Sequence, residues 1–111
     1  MNGVQLAERY FAHMRAREID GLTALFAADA SFVLPDGREL SGVAAIGQMY
    51  RQLFAAVSPT PTLLAAIEGT HGVATEIEAR LPDGKVRRTA NFFHLNSAGL
   101  IQRLSIYARS A

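Results

Sequence analysis

Few side chains in this sequence could transfer a proton or bind a metal ion. Its three histidines, His13, His71 and His94, are far apart and form no HxxxH pair, so we expect no metal site. The chain has no cysteine, which excludes a thiolate nucleophile, a disulfide framework and a zinc site built from thiolates. A phosphate-binding glycine loop, a GxSxG elbow and a dinucleotide fingerprint are absent as well. We therefore expect neither a metal nor a cofactor.

Three side chains remain as candidates for catalysis or binding. His13 lies at the border of an apolar helical stripe near Tyr10 and could act as a base at a pocket mouth, although a lone boundary histidine is usually structural. Tyr10 lies on the stripe itself, where the rival interpretation is a core tyrosine with a locally bonded hydroxyl. Asn91 lies in mid-strand beside two phenylalanines. A buried amide there needs partners, either in a pocket or at the neighbouring Thr75.

The elements that would position these residues are helices first and strands afterwards. Three helices are predicted: the first at 4–17, the second capped by Asp20 and ending at about Ala28, and the third at 43–57. Strands are predicted at 30–34, 38–40, 62–67, 73–81, 85–95 and 100–109. The prolines of the segment 58–61 are expected to end the third helix. Helices followed by an antiparallel meander indicate an α+β fold, and 111 residues suit one domain spanning 1–111.

The tetrapeptide Leu-Pro-Asp-Gly occurs twice, at 34–37 and 81–84, each time followed by a basic residue. We interpret both copies as three-residue hairpin loops with a left-handed glycine. In the second hairpin such a loop places Leu81 opposite Lys85. Continuing this register pairs Ile77 with Thr89, Thr75 with Asn91 and Glu78 with Arg88.

This register decides the direction of two glutamates. It places Glu76 and Glu78 on an outer, charged face, where Glu78 and Arg88 would form a cross-strand ion pair worth ~0.2–1 kcal/mol if exposed. A slip by one residue would instead turn both glutamates into the pocket, where they could act as general bases. Register is weakly specified when both faces of a strand are mixed, so both alternatives stay open.

The overall charge is close to balanced, at +1. The basic residues are scattered singly apart from a small cluster at 85–88, so we expect no nucleic-acid partner and no anionic membrane surface. The N-terminus has no apolar stretch behind a basic start, and no segment approaches the ~18 apolar residues of a membrane span. We expect a cytoplasmic protein.

Three segments carry a resemblance to known proteins: Arg9-Tyr10-Phe11 through Ile19-Asp20-Gly21 to Asp29-Ala30-Ser31, Gly42 to Phe54, and Asn96 to Tyr107. They resemble the opening helices and first strand, the third helix and the last hairpin of the ketosteroid isomerase and SnoaL-like families, in the nuclear transport factor 2-like superfamily. The resemblance implies a cone-shaped, curved antiparallel sheet with three helices from the N-terminal half enclosing one pocket. This fold hosts many functions, so the resemblance does not imply one reaction.

The resemblance also implies roles for four positions. In the isomerase an Asp base moves the proton, while a Tyr and a protonated Asp donate hydrogen bonds to the enolate oxygen. The donating tyrosine falls on Tyr10, a supporting tyrosine on Tyr50, and the protonated aspartate on Asn91, which can still donate through its amide. The base falls on Leu34, which cannot accept a proton. Because general-base help is worth ~10²–10⁴ in rate, steroid isomerisation by the family mechanism is not expected.

The expected pocket is largely apolar, with a few polar side chains in its wall. The residues expected to bind the ligand are Tyr10, Met14, Phe26, Leu34, Tyr50, Phe54, Ile77, Asn91, Phe93 and Leu104.

Three functions fit these observations. The first is binding of a small hydrophobic molecule with a carbonyl or hydroxyl group between Tyr10 and Asn91. The second is an isomerase, dehydratase or cyclase in which His13 or a slipped glutamate supplies the base. The third is a non-catalytic scaffold that dimerises through the open face of the sheet, which carries Phe92 and His94. A homodimer is expected in all three cases, because one helix layer covers only one face of such a sheet.

Overall fold

The elements follow the predicted order. The computed structural model describes residues 1–57 and 59–109, so Ser58, Ser110 and Ala111 lie outside the described residues. The elements are α1 (Gly3–Ala16), α2 (Ile19–Thr23), β1 (Phe26–Val33), β2 (Glu39–Ser41), α3 (Val43–Ala56), β3 (Thr60–Glu68), β4 (Gly72–Arg80), β5 (Val86–Leu95) and β6 (Ile101–Ala108). From β2 onward, each boundary lies within two residues of its predicted position.

Both ends of α1 are capped, the first by side chains and the second by the backbone. The Gln5 N–H donates to Asn2 Oδ1 at 2.8 Å and the Asn2 N–H donates to Gln5 Oε1 at 3.0 Å, which is a reciprocal capping box. At the other end Arg17 adopts a left-handed conformation with φ of 56°, and its N–H donates to the Met14 carbonyl at 3.2 Å. Between the caps, Tyr10 and Met14 belong to the buried stripe that faces the core.

The predicted extent of the second helix is wrong. α2 ends at Thr23, and β1 begins at Phe26, so residues 26–28 lie in a strand. Phe26 pairs with Ile101 of β6, and the Ile101 N–H donates to the Leu25 carbonyl at 2.8 Å. These bonds to a distant strand outweigh the helix propensity of the two alanines that follow Phe26, because tertiary context overrides local preference.

The cap assigned to Asp20 is wrong as well. Glu18 occupies the N-cap position and makes no side-chain cap bond, whereas Asp20 lies in the first turn of α2. The Glu18 carboxylate lies instead 3.0 Å from His13 Nδ1. The side chain at the cap position therefore joins α2 to α1.

Both Leu-Pro-Asp-Gly segments form the predicted turn. In the first, the Leu34 N–H donates to the Arg38 carbonyl and the Gly37 N–H to the Leu34 carbonyl, both at 2.8 Å. In the second, the Leu81 N–H donates to the Lys85 carbonyl and the Gly84 N–H to the Leu81 carbonyl, both at 2.9 Å. Gly37 and Gly84 have φ of 92° and 86°. Only glycine adopts this region without steric penalty, so the two loops are confirmed as copies of one turn.

The sheet has six strands in the order β2-β1-β6-β5-β4-β3. Its pairs are antiparallel as predicted, except that β1 runs parallel to β6, with Phe32 opposite Leu104. A parallel pair needs a long connection, and here the whole segment from β2 to β5 supplies it. α1 contacts β3, β4 and β5, while α3 contacts β1 and β2. Three helices and one curved, unclosed sheet thus form a compact α+β fold, with the buried apolar side chains in one cluster.

The register between β4 and β5 is the predicted one. Ile77 pairs with Thr89, Thr75 with Asn91, and Glu78 with Arg88. Glu76 is exposed, and Glu78 Oε1 lies 3.6 Å from Arg88 Nη2 on the outer face. The alternative slip by one residue is therefore wrong, and neither glutamate faces the core.

Candidate functional site

A cavity of about 230 Å³ lies between α1, α3 and the inner face of the sheet. Its wall is apolar apart from five side chains: the hydroxyls of Tyr10, Tyr50 and Thr89, the amide of Asn91 and the guanidinium of Arg87. An apolar cavity with a few polar groups is the usual form of a small-molecule site.

The structure brings part of the predicted set into this wall. The lining includes Tyr10, Met14, Leu34, Tyr50, Ile77 and Asn91, and it does not include Phe26, Phe54, Phe93 and Leu104. The Phe93 ring lies behind Tyr10, with the ring centroids 5.1 Å apart, and the Phe54 ring stacks on Tyr50 at 6.0 Å. These two aromatic residues support the wall instead of forming it.

Sequence reasoning did not single out the rest of the wall, which consists of Phe11, Phe32, Pro35, Met49, Leu53, Val57, Pro59, Pro61, Ala79, Leu81, Arg87, Thr89 and Ile106. Three of these residues could have been found from the sequence, because side chains two positions apart in a strand lie on the same face. Ala79 lies two residues after Ile77, and Thr89 and Arg87 lie two and four residues before Asn91. Pro61 also shares this face, because it lies in β3 opposite Ala79, but the predicted strand began only at residue 62.

The hydroxyl oxygens of Tyr10 and Tyr50 lie 2.5 Å apart, and the two residues are 2% and 1% exposed. Burial raises the pKa of both phenols well above the ordinary value. The hydrogen bond with Tyr50 partly offsets this rise for Tyr10, whereas the proximity of Tyr10 adds to the rise for Tyr50. Both hydroxyls therefore stay protonated near neutral pH. Their mutual bond uses one of two protons, so the accepting hydroxyl keeps a proton to donate elsewhere.

The Asn91 side chain is a buried amide with an unpaired acceptor. Asn91 is 4% exposed, and its Oδ1 atom has no hydrogen-bond partner among residues 1–57 and 59–109. The expected link to Thr75 takes another form, since Thr75 Oγ1 donates to the main-chain carbonyl of Asn91 at 3.3 Å. Buried polar atoms almost always have partners, so the amide of Asn91, a residue of the cavity wall, is incompletely hydrogen-bonded by the described part of the chain.

Three polar side chains follow one another on the cavity side of β5. Asn91 is buried, Thr89 is half-buried and Arg87 is exposed, and all three line the cavity. Because strands rise ~3.3 Å per residue, this polar strip extends ~13 Å from the core to solvent. The strip begins at an uncharged amide and ends at a cation.

His13 does not line the cavity, which corrects the expectation that it stands at the pocket mouth. Its Nδ1 atom lies 3.0 Å from Glu18 Oε1, and its ring packs so closely on Gly21 that a Cβ there would lie 2.4 Å from Nδ1. The ring is therefore used to join α1 to α2. Helical spacing placed His13 near Tyr10, but it could not show which neighbour the ring would contact.

The described part of the chain holds no group of three His, Asp or Glu side chains that could bind a metal ion. In the same residues, no helix is long and apolar enough to cross a membrane.

A sequence model of the SnoaL-like domain matches residues 7–104. The chain belongs to the SnoaL-like domain family. No curated protein is detectably similar to this SnoaL-like domain in sequence.

Solved structures resemble the SnoaL-like domain closely in fold. A protein from Sphaerobacter thermophilus is 27% identical and superposes with a TM-score of 0.85, covering 100% of this chain and 99% of that chain. A candidate ketosteroid isomerase from Kribbella flavida is 20% identical, with a TM-score of 0.87, and the match covers 96% of this chain and 77% of that chain. A candidate polyketide cyclase from Sinorhizobium meliloti is 22% identical, with a TM-score of 0.83 and coverage of 92% and 93%. These similarities show the nuclear transport factor 2-like fold.

The cavity of this SnoaL-like domain differs in chemistry from the isomerase site described above. Leu34, which the resemblance places at the position of the general base, lies in the wall. The described residues that line the cavity include no histidine, aspartate or glutamate. The site therefore offers hydrogen bonds and apolar surface, with no carboxylate or imidazole to remove a proton.

Proposed function

We propose that this SnoaL-like domain binds a small, mostly apolar molecule that carries a hydroxyl or carbonyl group. The observation that supports this function is Asn91 in the wall of an apolar cavity, a buried amide whose Oδ1 atom has no partner among residues 1–57 and 59–109. An unsatisfied buried polar atom costs about 1–3 kcal/mol, and a ligand group that donates to it would remove that penalty.

A hydroxyl suits the polar atoms of the wall better than a carbonyl. A hydroxyl both donates and accepts, so it can donate to Asn91 Oδ1 or accept the spare proton of the Tyr10 and Tyr50 pair. A carbonyl only accepts. It would leave Oδ1 unpaired unless the Asn91 amide turned by half a rotation and presented its NH₂ group instead.

The volume of the cavity limits the size of the ligand. An apolar cavity of ~150 Å³ holds benzene, whereas sites for drug-sized molecules measure ~300–1,000 Å³. The cavity of about 230 Å³ lies between these values. A single ring with a short substituent fits it better than a fused polycyclic compound.

Catalysis by the bases considered from the sequence has no support in the geometry. His13, Glu76 and Glu78 all lie away from the cavity. An isomerase, dehydratase or cyclase that used one of them as its base would need that side chain within hydrogen-bond reach of its substrate. Binding is therefore the function that these side chains support.

Titration with para-ethylphenol and with ethylbenzene tests the proposal, because the two compounds differ only in the hydroxyl. We expect para-ethylphenol to bind more tightly by calorimetry and to raise the melting temperature, with about 2.7 kcal/mol of stabilisation at a concentration of 100 Kd. In Asn91→Leu this preference should disappear while ethylbenzene still binds.

Thr75→Val is the matched control, since Thr75 lies opposite Asn91 on the same face of the sheet but does not line the cavity. This variant should keep the preference for the phenol. If a panel of phenols, alcohols and ketones of this size gave no stabilisation of the wild-type protein at millimolar concentration, the proposal would be wrong.

We also propose that the domain forms a homodimer through the outer face of the sheet. Phe92 and Tyr107 are 41% and 62% exposed there, and their ring centroids lie 5.7 Å apart. Ile67, 68% exposed, lies on the same face, since it pairs with Ala74, which in turn pairs with Phe92. A group of exposed large apolar side chains of this kind is typical of a protein interface.

A further inference from the structure

We propose that the ligand of this cavity is an organic anion whose carboxylate binds Arg87 at the cavity mouth. This inference rests on the proposed binding function and specifies the chemical class of the ligand. Arg87 lines the cavity and is exposed, so its side chain lies where the cavity meets solvent.

Arg87 has no hydrogen-bond or ion-pair partner for its side chain within residues 1–57 and 59–109, which is also true of Arg80 in β4. Arg38, Arg88 and Arg103 each have a carboxylate oxygen 2.7 to 3.6 Å away. The charges of those three side chains are balanced locally. The charges of Arg80 and Arg87 are not, and of these two only Arg87 lines the cavity.

The surroundings of Arg87 in the wall favour an anion over a second cation or a neutral group. Ala79 lies directly opposite Arg87 in β4, and Leu81 and Pro35 line the same cavity. No described lining residue carries a negative charge that would compete for the guanidinium. A guanidinium presents parallel N–H donors that match the two oxygens of a carboxylate, and apolar neighbours reduce the screening of that contact by water.

The positions of Arg87 and Asn91 together describe an amphipathic ligand. Both residues lie on the cavity side of β5, with Thr89 between them, at the two ends of a strip ~13 Å long. A hydroxyl would lie at the buried end against Asn91, an apolar ring or chain in the middle, and the carboxylate at Arg87. A hydroxyaryl or hydroxyalkyl carboxylic acid with a single ring or short chain has this arrangement.

Calorimetric titration with para-hydroxyphenylpropanoate and with its methyl ester tests the inference at neutral pH and low ionic strength. The two compounds share the phenol and the ring and differ in the charge. We expect the acid to bind roughly three- to tenfold more tightly than the ester, the range of a partly exposed charge-assisted pair. The preference should shrink in ~0.5 M salt, because the Debye length falls from tens of ångströms to a few.

Arg87→Gln should remove the preference by weakening the acid alone, and unchanged affinity for the ester would show that the variant is folded. Arg80→Gln is the matched control, since Arg80 is an exposed arginine on the outer face of the adjacent strand and its loss changes the net charge equally. This control should keep the preference.

Equal affinity of the wild-type protein for acid and ester would overturn the inference and leave the proposed binding function standing. An equal loss of preference in Arg80→Gln and Arg87→Gln would overturn it too, because the effect would then be one of net charge. Failure of both compounds to bind would overturn the proposed function and this inference together.

Discussion

Tyr10 in α1 and Tyr50 in α3 are joined by a hydrogen bond between their buried hydroxyls, with the oxygens 2.5 Å apart. This contact links the two helices that cover opposite parts of the sheet. It also forms part of the cavity wall. The stability of the protein should therefore depend on both hydroxyls as one unit.

A double-mutant cycle measures that dependence. Tyr10→Phe and Tyr50→Phe should each lower the free energy of unfolding by about 0.5–1.5 kcal/mol, because each leaves a buried hydroxyl without its partner. The double variant should lose less than the sum, since no unpaired hydroxyl remains. Urea denaturation gives the three values, and the exposed Tyr107→Phe serves as the control. Strictly additive losses would show that the hydroxyls act independently.

The raised pKa values of the two tyrosines predict a loss of stability in alkali. Below about pH 10 the phenols are neutral in both the folded and unfolded chains, so their ionisation does not reduce the free energy of unfolding. Above this pH the tyrosines of the unfolded chain ionise while Tyr10 and Tyr50 stay protonated. The free energy of unfolding should then fall by about 1.4 kcal/mol per pH unit for each tyrosine, until the pH reaches the folded values.

Urea denaturation at several pH values between about 9 and 11 tests this slope. The double variant Tyr10→Phe, Tyr50→Phe should lose stability less steeply than the wild type over the same range. Parallel curves for the two proteins would contradict the assignment of the effect to these tyrosines.

Asn91→Leu should stabilise the protein in the absence of ligand, by about 1 kcal/mol, because it removes a buried acceptor that has no partner among the residues the structure describes. Thr75→Val, directly opposite in β4, should have the reverse sign, with a loss of about 0.5–1.5 kcal/mol, because the Thr75 hydroxyl is bonded to the Asn91 carbonyl. Thermal and urea unfolding give both differences. A loss of stability in Asn91→Leu as large as that in Thr75→Val would show that the amide is satisfied after all.

Phe92→Lys should shift the protein from dimer to monomer in sedimentation velocity experiments. A charge at position 92, on the same face as Tyr107 and Ile67, would have to be buried without a partner in the proposed interface. Ala12→Lys is the control, because Ala12 is exposed on α1, away from this face. A wild-type protein that stays monomeric at about 100 µM, well above the Kd of a micromolar dimer, would rule the interface out.

The turns of this chain made much of the sheet predictable. A glycine with positive φ in each Leu-Pro-Asp-Gly loop fixes a three-residue connection, and this connection determines the pairing of Glu78 with Arg88 and the outward direction of Glu76. Local chemistry was sufficient here, because the pairing partners lie close together in the sequence.

The start of β1 was not predictable in this way. Leu22, Leu25 and Phe26 have helical spacing, and what converts Phe26 into a strand residue is its pairing with Ile101, far along the chain. The predicted position of His13 at the pocket mouth was wrong for a similar reason, since contacts with Glu18 and Gly21, and not its own helix, position its ring. Contacts between distant segments, and the loops between elements, carry information that local periodicity does not hold.

The parallel pairing of β1 with β6 has a consequence for the order of folding. β1 and β2 form only a two-stranded hairpin until β6 is synthesised, and an isolated hairpin is marginal in water. During translation, Phe26 and Phe32 of β1 therefore lack their pairing strand until β6 has been synthesised. Pairing across so long a stretch of chain is slow, and the uncovered aromatic surface is the kind that chaperones bind. Until β6 docks onto β1, a nascent chain of this domain is thus exposed to aggregation.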